Sequence, residues 1–116
     1  MKLAAVRLFV EDLAAARTFY ADLLGLQPIS LEPPALLFDV GGPILIIESA
    51  DDEARKEGLV GRFAGFSLRV DDVEALHAKL KAGDCAIPGP PERQAWGGTL
   101  MHVKDPSANI VTFVQD

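Results

Sequence analysis

The sequence predicts an α+β fold: two tandem β-α-β-β-β modules whose eight strands form a curved sheet around a groove. Three observations predict it. An alternating apolar strand, an aspartate, an amphipathic helix and a glycine occur in that order twice. Short apolar runs bounded by Pro and Gly follow each helix, and the two copies keep a constant spacing over long stretches.

The first strand is Ala4 to Val10, where Val6, Leu8 and Val10 alternate with Ala5, Arg7 and Phe9. Period two puts the two sets on opposite faces of a strand. Asp12 is placed to cap the helix that follows, LAAARTFYADLLGL, in which Leu13, Ala16, Phe19, Tyr20, Leu23 and Leu24 recur at helical spacing before Gly25 stops it. Three short strands come next, Gln27 to Leu31, Ala35 to Val40 and Ile44 to Ser49, separated by Pro33–Pro34 and by Gly41–Gly42–Pro43. The polar run Ala50 to Gly58 reads as a linker or solvated face, with a short helical turn as the alternative. It divides a first module, residues 1–57, from a second, residues 58–116, within one domain.

The second module repeats the first. FSLRVDDVEALHAKLKAG, Phe66 to Gly83, matches VRLFVEDLAAARTFYADLLG, with Leu68, Val70 and Asp72 sixty positions after Leu8, Val10 and Asp12. The last strand, Ile110 to Val114, repeats Ile44 to Glu48 sixty-six positions on, the difference lying in longer turns. Each sheet hides one face under its helix and leaves the other for the groove. The helix side takes Val6, Leu8, Val10, Leu45, Ile47, Phe66, Leu68, Val70, Val111 and Phe113; the groove side takes Ala5, Arg7, Phe9, Ile44, Ile46, Glu48, Gly65, Ser67, Arg69, Ile110, Thr112 and Val114.

Size and charge narrow the function classes. A chain of 116 residues, 49% of them hydrophobic, buries a real core in one domain. A formal charge of −6 argues against nucleic-acid and anionic-membrane surfaces, which need clustered Lys and Arg. The single cysteine, Cys85, has no partner within the chain and suits a reducing cytoplasm. No run has the length of a membrane span, and MKLAAVRLFVEDL turns acidic too early for a secretion signal.

The stretches VRLFVEDLAAARTFYADLLGL, FSLRVDDVEALHAKLKAG and WGGTLMHVKDPSANIVTFVQ together resemble the vicinal oxygen chelate superfamily, which includes glyoxalase I, bleomycin-resistance proteins and extradiol dioxygenases. The resemblance covers nearly the whole chain and implies the glyoxalase-like fold. It also implies where a metal would sit. The family's metal enzymes carry His or Glu ligands at positions occupied here by Ala5, Ile46, Gly65 and Thr112, none of which supplies an imidazole or carboxylate. The expectation is therefore a chain of the metal-free kind, with no cofactor. Glu48, one step along the strand from the vacated positions, is the one carboxylate nearby. Ala108 also departs from the family, which places glycine in that turn.

Candidate ligand-binding residues are Arg7, Phe9, Phe38, Glu48, Arg69, Trp96 and His102. Arg7 and Arg69 have the planar fork that reads carboxylate or phosphate; the alternative is that each pairs with an internal carboxylate such as Glu48 or reaches solvent at the strand's end. Phe9, Phe38 and Trp96 are aromatic walls, Trp96 beside the flexible Gly97–Gly98; it is a pocket wall, or a lid over the core or a dimer contact. His102 faces the groove if Met101 and Val103 face the helix, and is then either an acid-base group or a structural one. His77 belongs to the surface and Tyr20 to the core.

The expected function is binding of a small polar or aromatic molecule, with sequestration of an antibiotic as the resistance-protein version, by a cytoplasmic homodimer. Dimerisation is what the resemblance implies. The alternative is a metal-independent lyase or isomerase that uses Glu48 or His102 as general base; a metal-dependent glyoxalase-like lyase would need ligands the sequence lacks.

Overall fold

The chain alternates in the expected order, and the computed structural model describes all residues, 1–116. Strand β1 (Ala5–Val10) runs parallel to β4 (Ile44–Ser49), which pairs antiparallel with β3 (Ala35–Asp39), and β3 with the edge strand β2 (Gln27–Ser30). The second sheet repeats this order with β5 (Phe63–Arg69), β8 (Ile110–Gln115), β7 (Thr99–Lys104) and β6 (Glu92–Arg93). The eight strands thus form two four-stranded sheets. Links between them include the single bridge Phe9–Val60 and the Arg62 side chain, whose Nη2 donates to the Arg7 carbonyl at 2.9 Å.

The pairing registers carry the duplication at the level of single residues. In the first sheet Arg7 stands opposite Ile46, Leu8 opposite Ile47 and Phe9 opposite Glu48. In the second, Ser67 stands opposite Thr112, Leu68 opposite Phe113 and Arg69 opposite Val114. These are the same pairs moved by sixty positions on one strand and sixty-six on the other. The correspondence breaks at one place: Ile110 pairs with Phe63 rather than Gly65, across a bulge in which Gly65 takes φ +81°, a conformation that a side chain resists.

Helix α1 (Leu13–Arg17) begins at the expected cap, with Ala15 N donating to Asp12 Oδ1 at 3.0 Å. It then widens into a π-helical turn, Thr18–Leu23, closed by Leu24 N to Phe19 O at 2.9 Å. The adjacent Phe19 and Tyr20 lie on this turn, both buried, with ring centres 4.8 Å apart. Helix α3 (Val73–Ala82) is capped in the same way by Asp72, and its first amide, Val73 N, donates to Gln115 Oε1 at 2.7 Å. The left-handed residue after it is Asp84, at φ +59°, not the glycine at 83.

Of the two readings of Ala50 to Gly58, the linker is corrected and the short helical turn is what forms. Helix α2 (Asp52–Lys56) forms there because Asp51 caps Ala54 N at 2.8 Å and Ala54 itself is buried. Arg55 fastens it, with Nε 3.0 Å from Glu11 and Nη2 3.1 Å from the Ala50 carbonyl.

One core serves both halves. Leu8, Val10, Leu45 and Ile47 from the first sheet and Met101, Val103, Val111 and Phe113 from the second join Phe19, Tyr20, Val73 and Leu80 from the helices. The groove faces point the other way and keep much of their surface exposed. No helix is long and apolar enough to cross a membrane.

Candidate functional site

On the first groove face, β1 and β4 run parallel and place Arg7, Phe9 and Glu48 side by side. The Arg7 Nε and Nη2 both donate to the Glu48 carboxylate, the second at 3.0 Å, and the guanidinium lies 5.4 Å from the centre of the Phe9 ring. The Glu48 hydrogen bonds, and then its charge, push the Arg7 guanidinium above its ordinary value. The Arg7 side chain is 59% exposed, so the pair is a solvent-screened fork whose worth lies in geometry rather than stability.

On the second groove face His102 stands opposite Thr112, and Thr112 opposite Ser67. Met101 and Val103 are buried in the core, which turns His102 to the groove. Its Nδ1 lies 2.8 Å from Thr112 Oγ1, and its ring is 6.1 Å from that of Phe63. Phe63 is 58% exposed, a large apolar side chain left on this face. The strand pattern Phe63, Gly65, Ser67, Arg69 contains it, but the sequence reading began the strand two residues later. A cavity of about 250 Å³ opens beside His102, between Pro88, Pro90, Glu92 and Gln94. No motif in that segment marks it.

The other candidates are placed as follows. Arg69 takes the internal pairing weighed for it, its carboxylate being Asp116, with Nε 2.9 Å from a carboxylate oxygen. Trp96 sits in the β6–β7 turn, 64% exposed, its ring close against Gly98, where a Cβ would come within 2.0 Å of Cζ3. Phe38 is corrected: it is fully buried, opposite Leu45 and 6.3 Å from the Tyr20 ring, and belongs to the core. Both faces of β3 are apolar, so its phase is set only by its register with β4. The structure therefore brings together Arg7, Phe9 and Glu48 on one sheet and His102 and Thr112 on the other, and leaves Phe38 out.

A buried polar network behind these faces was not foreseen. Asp105 accepts from the Tyr20 hydroxyl at 2.7 Å and from Asn109 N at 2.9 Å. The Asn109 side chain donates to the Phe9 carbonyl at 2.9 Å and accepts from Gly61 N and Arg62 N at 3.0 and 3.2 Å. Burial, then the charge of Asp105 and the hydrogen bond to it, push the Tyr20 phenol far above its ordinary value. This network ties β1, the π-helical turn, residues Gly61 and Arg62 and the β7–β8 turn into one unit. Ala108, at φ +65°, makes the tight turn that it closes.

The residues at the family's four ligand positions do not fit a divalent ion. Ala5, Ile46 and Gly65 offer no side-chain donor, and the one hydroxyl, Thr112 Oγ1, is engaged with His102. Nor do three or more His, Cys, Asp or Glu side chains converge anywhere in the chain.

Comparison with known proteins gives a consistent result. The family model described as Glyoxalase/Bleomycin resistance protein/Dioxygenase superfamily matches residues 2–113. An uncharacterized protein of Bacillus subtilis (strain 168), YraH, is 31% identical over 96% of this chain and 95% of its own length. Among solved structures, a lactoylglutathione lyase from Agrobacterium tumefaciens superposes with a TM-score of 0.78 at 21% identity, covering 98% of this chain and 92% of that one. A glyoxalase-related enzyme from Fulvimarina pelagi gives 0.80 at 22%, covering 100% and 88%. At those identities the two structures speak for the fold, while the match along the sequence speaks for descent. With its duplicated strand registers and a family match spanning both sheets, the chain belongs to the Glyoxalase/Bleomycin resistance protein/Dioxygenase superfamily.

Proposed function

We propose that the chain binds a small polar or aromatic molecule on its groove faces and releases it unchanged, without a divalent metal. The observation that carries this reading is the Arg7–Glu48 fork. Glu48 is the groove carboxylate best placed to act as a base, and two guanidinium hydrogen bonds already occupy it. With the four ligand positions lacking imidazole and carboxylate, the Lewis-acid chemistry of the metal enzymes has no seat here. What remains is surface suited to binding: Phe9 under Arg7, Phe63 beside His102, and Trp96 in an exposed turn. Sequestration of an antibiotic is one role such binding would serve.

Both groove faces are open in the single chain, and a second copy in a homodimer would wall them. Light scattering on the purified protein reads that directly, and a strict monomer at micromolar concentration refutes it. The lone Cys85 supports a cytoplasmic location.

Quenching of Trp96 fluorescence tests the binding reading, because it is the only tryptophan. A panel of glycopeptides, quinones and acidic metabolites is titrated, and any quencher is recovered and analysed. Recovery unchanged supports binding. Conversion that Glu48→Gln or His102→Ala abolishes would establish the competing metal-independent lyase or isomerase. Elemental analysis is expected to find no stoichiometric Ni, Zn, Fe or Mn, and a bound ion lost on Glu48→Ala would overturn the metal-free assignment.

A further inference from the structure

We propose that Thr112 fixes the tautomer of His102, so that the imidazole meets a ligand as an Nε2–H donor, and that the group it recognises is the oxygen of a neutral amide or lactam. The inference deepens the binding reading above and rests on it for the ligand, though not for the tautomer.

Hydrogen-bond accounting carries the first half. Thr112 is 4% exposed, and its hydroxyl makes one hydrogen bond, to His102 Nδ1 at 2.8 Å. Were Nδ1 protonated, the hydroxyl would have to accept, and its own O–H would be left buried with no acceptor. That arrangement costs about 1–3 kcal/mol. The satisfied arrangement has Thr112 donating and Nδ1 accepting, which leaves the proton of the neutral ring on Nε2. A ring held this way has no lone pair on its free nitrogen. It donates to a ligand and does not abstract a proton from one, so the position that the resemblance assigns to a metal ligand serves here to orient an imidazole.

The surroundings select what is recognised. His102 lines the cavity of about 250 Å³ whose wall also holds Glu92 and Gln94. Glu92 and His102 share this face, since Glu92 pairs with Leu100 and His102 follows two residues later on the same strand. A carboxylate ligand would meet the charge of Glu92 at close quarters. An amide suits both groups: its oxygen accepts from Nε2–H and its N–H donates to the Glu92 carboxylate. Pro88 and Pro90 flank the cavity and give a planar amide two apolar edges to lie against.

Long-range proton–nitrogen NMR of the labelled protein, at a pH where the ring is neutral, reads the tautomer without any ligand. Wild type is expected to show a pyrrole-type Nε2 and a pyridine-type Nδ1. Thr112→Ser should keep the single tautomer and Thr112→Val should show a mixture. A protonated Nδ1 in wild type overturns the assignment, as does a Thr112→Val protein whose tautomer is unchanged. The ligand class is tested with 2-pyrrolidinone against acetate. The lactam should shift the His102 signals saturably, roughly two- to tenfold more weakly in Thr112→Val, the range expected for one fixed neutral hydrogen bond. Acetate binding as well as the lactam, or no saturable lactam shift, overturns the recognition half. A failed tautomer leaves the Trp96 quenching result standing, and an absence of quenching ligands leaves the tautomer standing, so the two readings fail separately.

Discussion

Asn109 is the residue whose loss should cost the fold most for the fewest atoms changed. It is fully buried and makes four side-chain hydrogen bonds: to Phe9 O, to Asp105 Oδ2, and from Gly61 N and Arg62 N. Asn109→Ala removes all four and leaves two backbone amides and a backbone carbonyl without their partner. A buried group left unpaired costs about 1–3 kcal/mol, and water entering the vacated volume will recover part of it, so a net loss of about 3–5 kcal/mol is expected. Domains of this size have about 5–15 kcal/mol in total, so the variant should unfold at a much lower urea concentration with the slope of the transition unchanged. Asn109→Asp is the sharper control. It keeps the shape and the acceptor for Gly61 and Arg62 but turns the donor into a second oxygen facing the Phe9 carbonyl and the Asp105 carboxylate, so it should be no milder than the alanine variant. A loss under about 1 kcal/mol for either variant would refute the accounting, since that is the ordinary scale of an exposed substitution.

Two further outcomes follow from the same geometry. Tyr20, the only tyrosine, keeps its proton far above the ordinary phenol range, so no tyrosinate absorbance should develop until the protein unfolds in alkali. The sign is fixed by linkage: above about pH 10 the unfolded chain has released this proton and the folded chain has not, so stability should fall by about 1.4 kcal/mol per pH unit. Gly98→Ala would force a Cβ to within 2.0 Å of the Trp96 ring; because that side chain is 64% exposed it can swing away, so its fluorescence should change while stability moves by less than about 1 kcal/mol.

The duplication was legible in the sequence because period-two strands and Asp-capped helices are local signals, and the offsets read from Val10–Val70 and Ile44–Ile110 reappear as strand registers. The Arg7–Glu48 pair was within reach too, as two groove-face residues on neighbouring strands. What escaped depends on partners distant in the chain. Phe38 lies on a strand apolar on both faces, so only its pairing with Leu45 decides its side. The π-helical turn over Thr18–Leu23 has no period of its own in the sequence, and helix α2 buries Ala54 among polar neighbours that do not advertise it. Asn109 reads locally as a turn residue; its four bonds span both sheets.

The internal pairing of both groove arginines bears on the ligand's charge, and salt can test it. Arg7 is bound to Glu48 and Arg69 to Asp116, so neither presents an uncompensated positive charge, and the chain as a whole carries −6. An anionic ligand would have to displace a carboxylate from an arginine and approach against the net charge. Its affinity would fall steeply with salt, since the Debye length shrinks from about 10 Å at 0.1 M to about 3 Å at 1 M. A neutral ligand held by His102 and aromatic surfaces has no such dependence. For any ligand found through Trp96, the dissociation constant should therefore change by less than about twofold over that range of salt, because no charge is screened in forming the complex. A tenfold weakening would mean that one of the arginines gives up its internal partner on binding. The neutral-ligand assignment would then fail, and Arg7→Gln compared with Arg69→Gln would show which fork had opened.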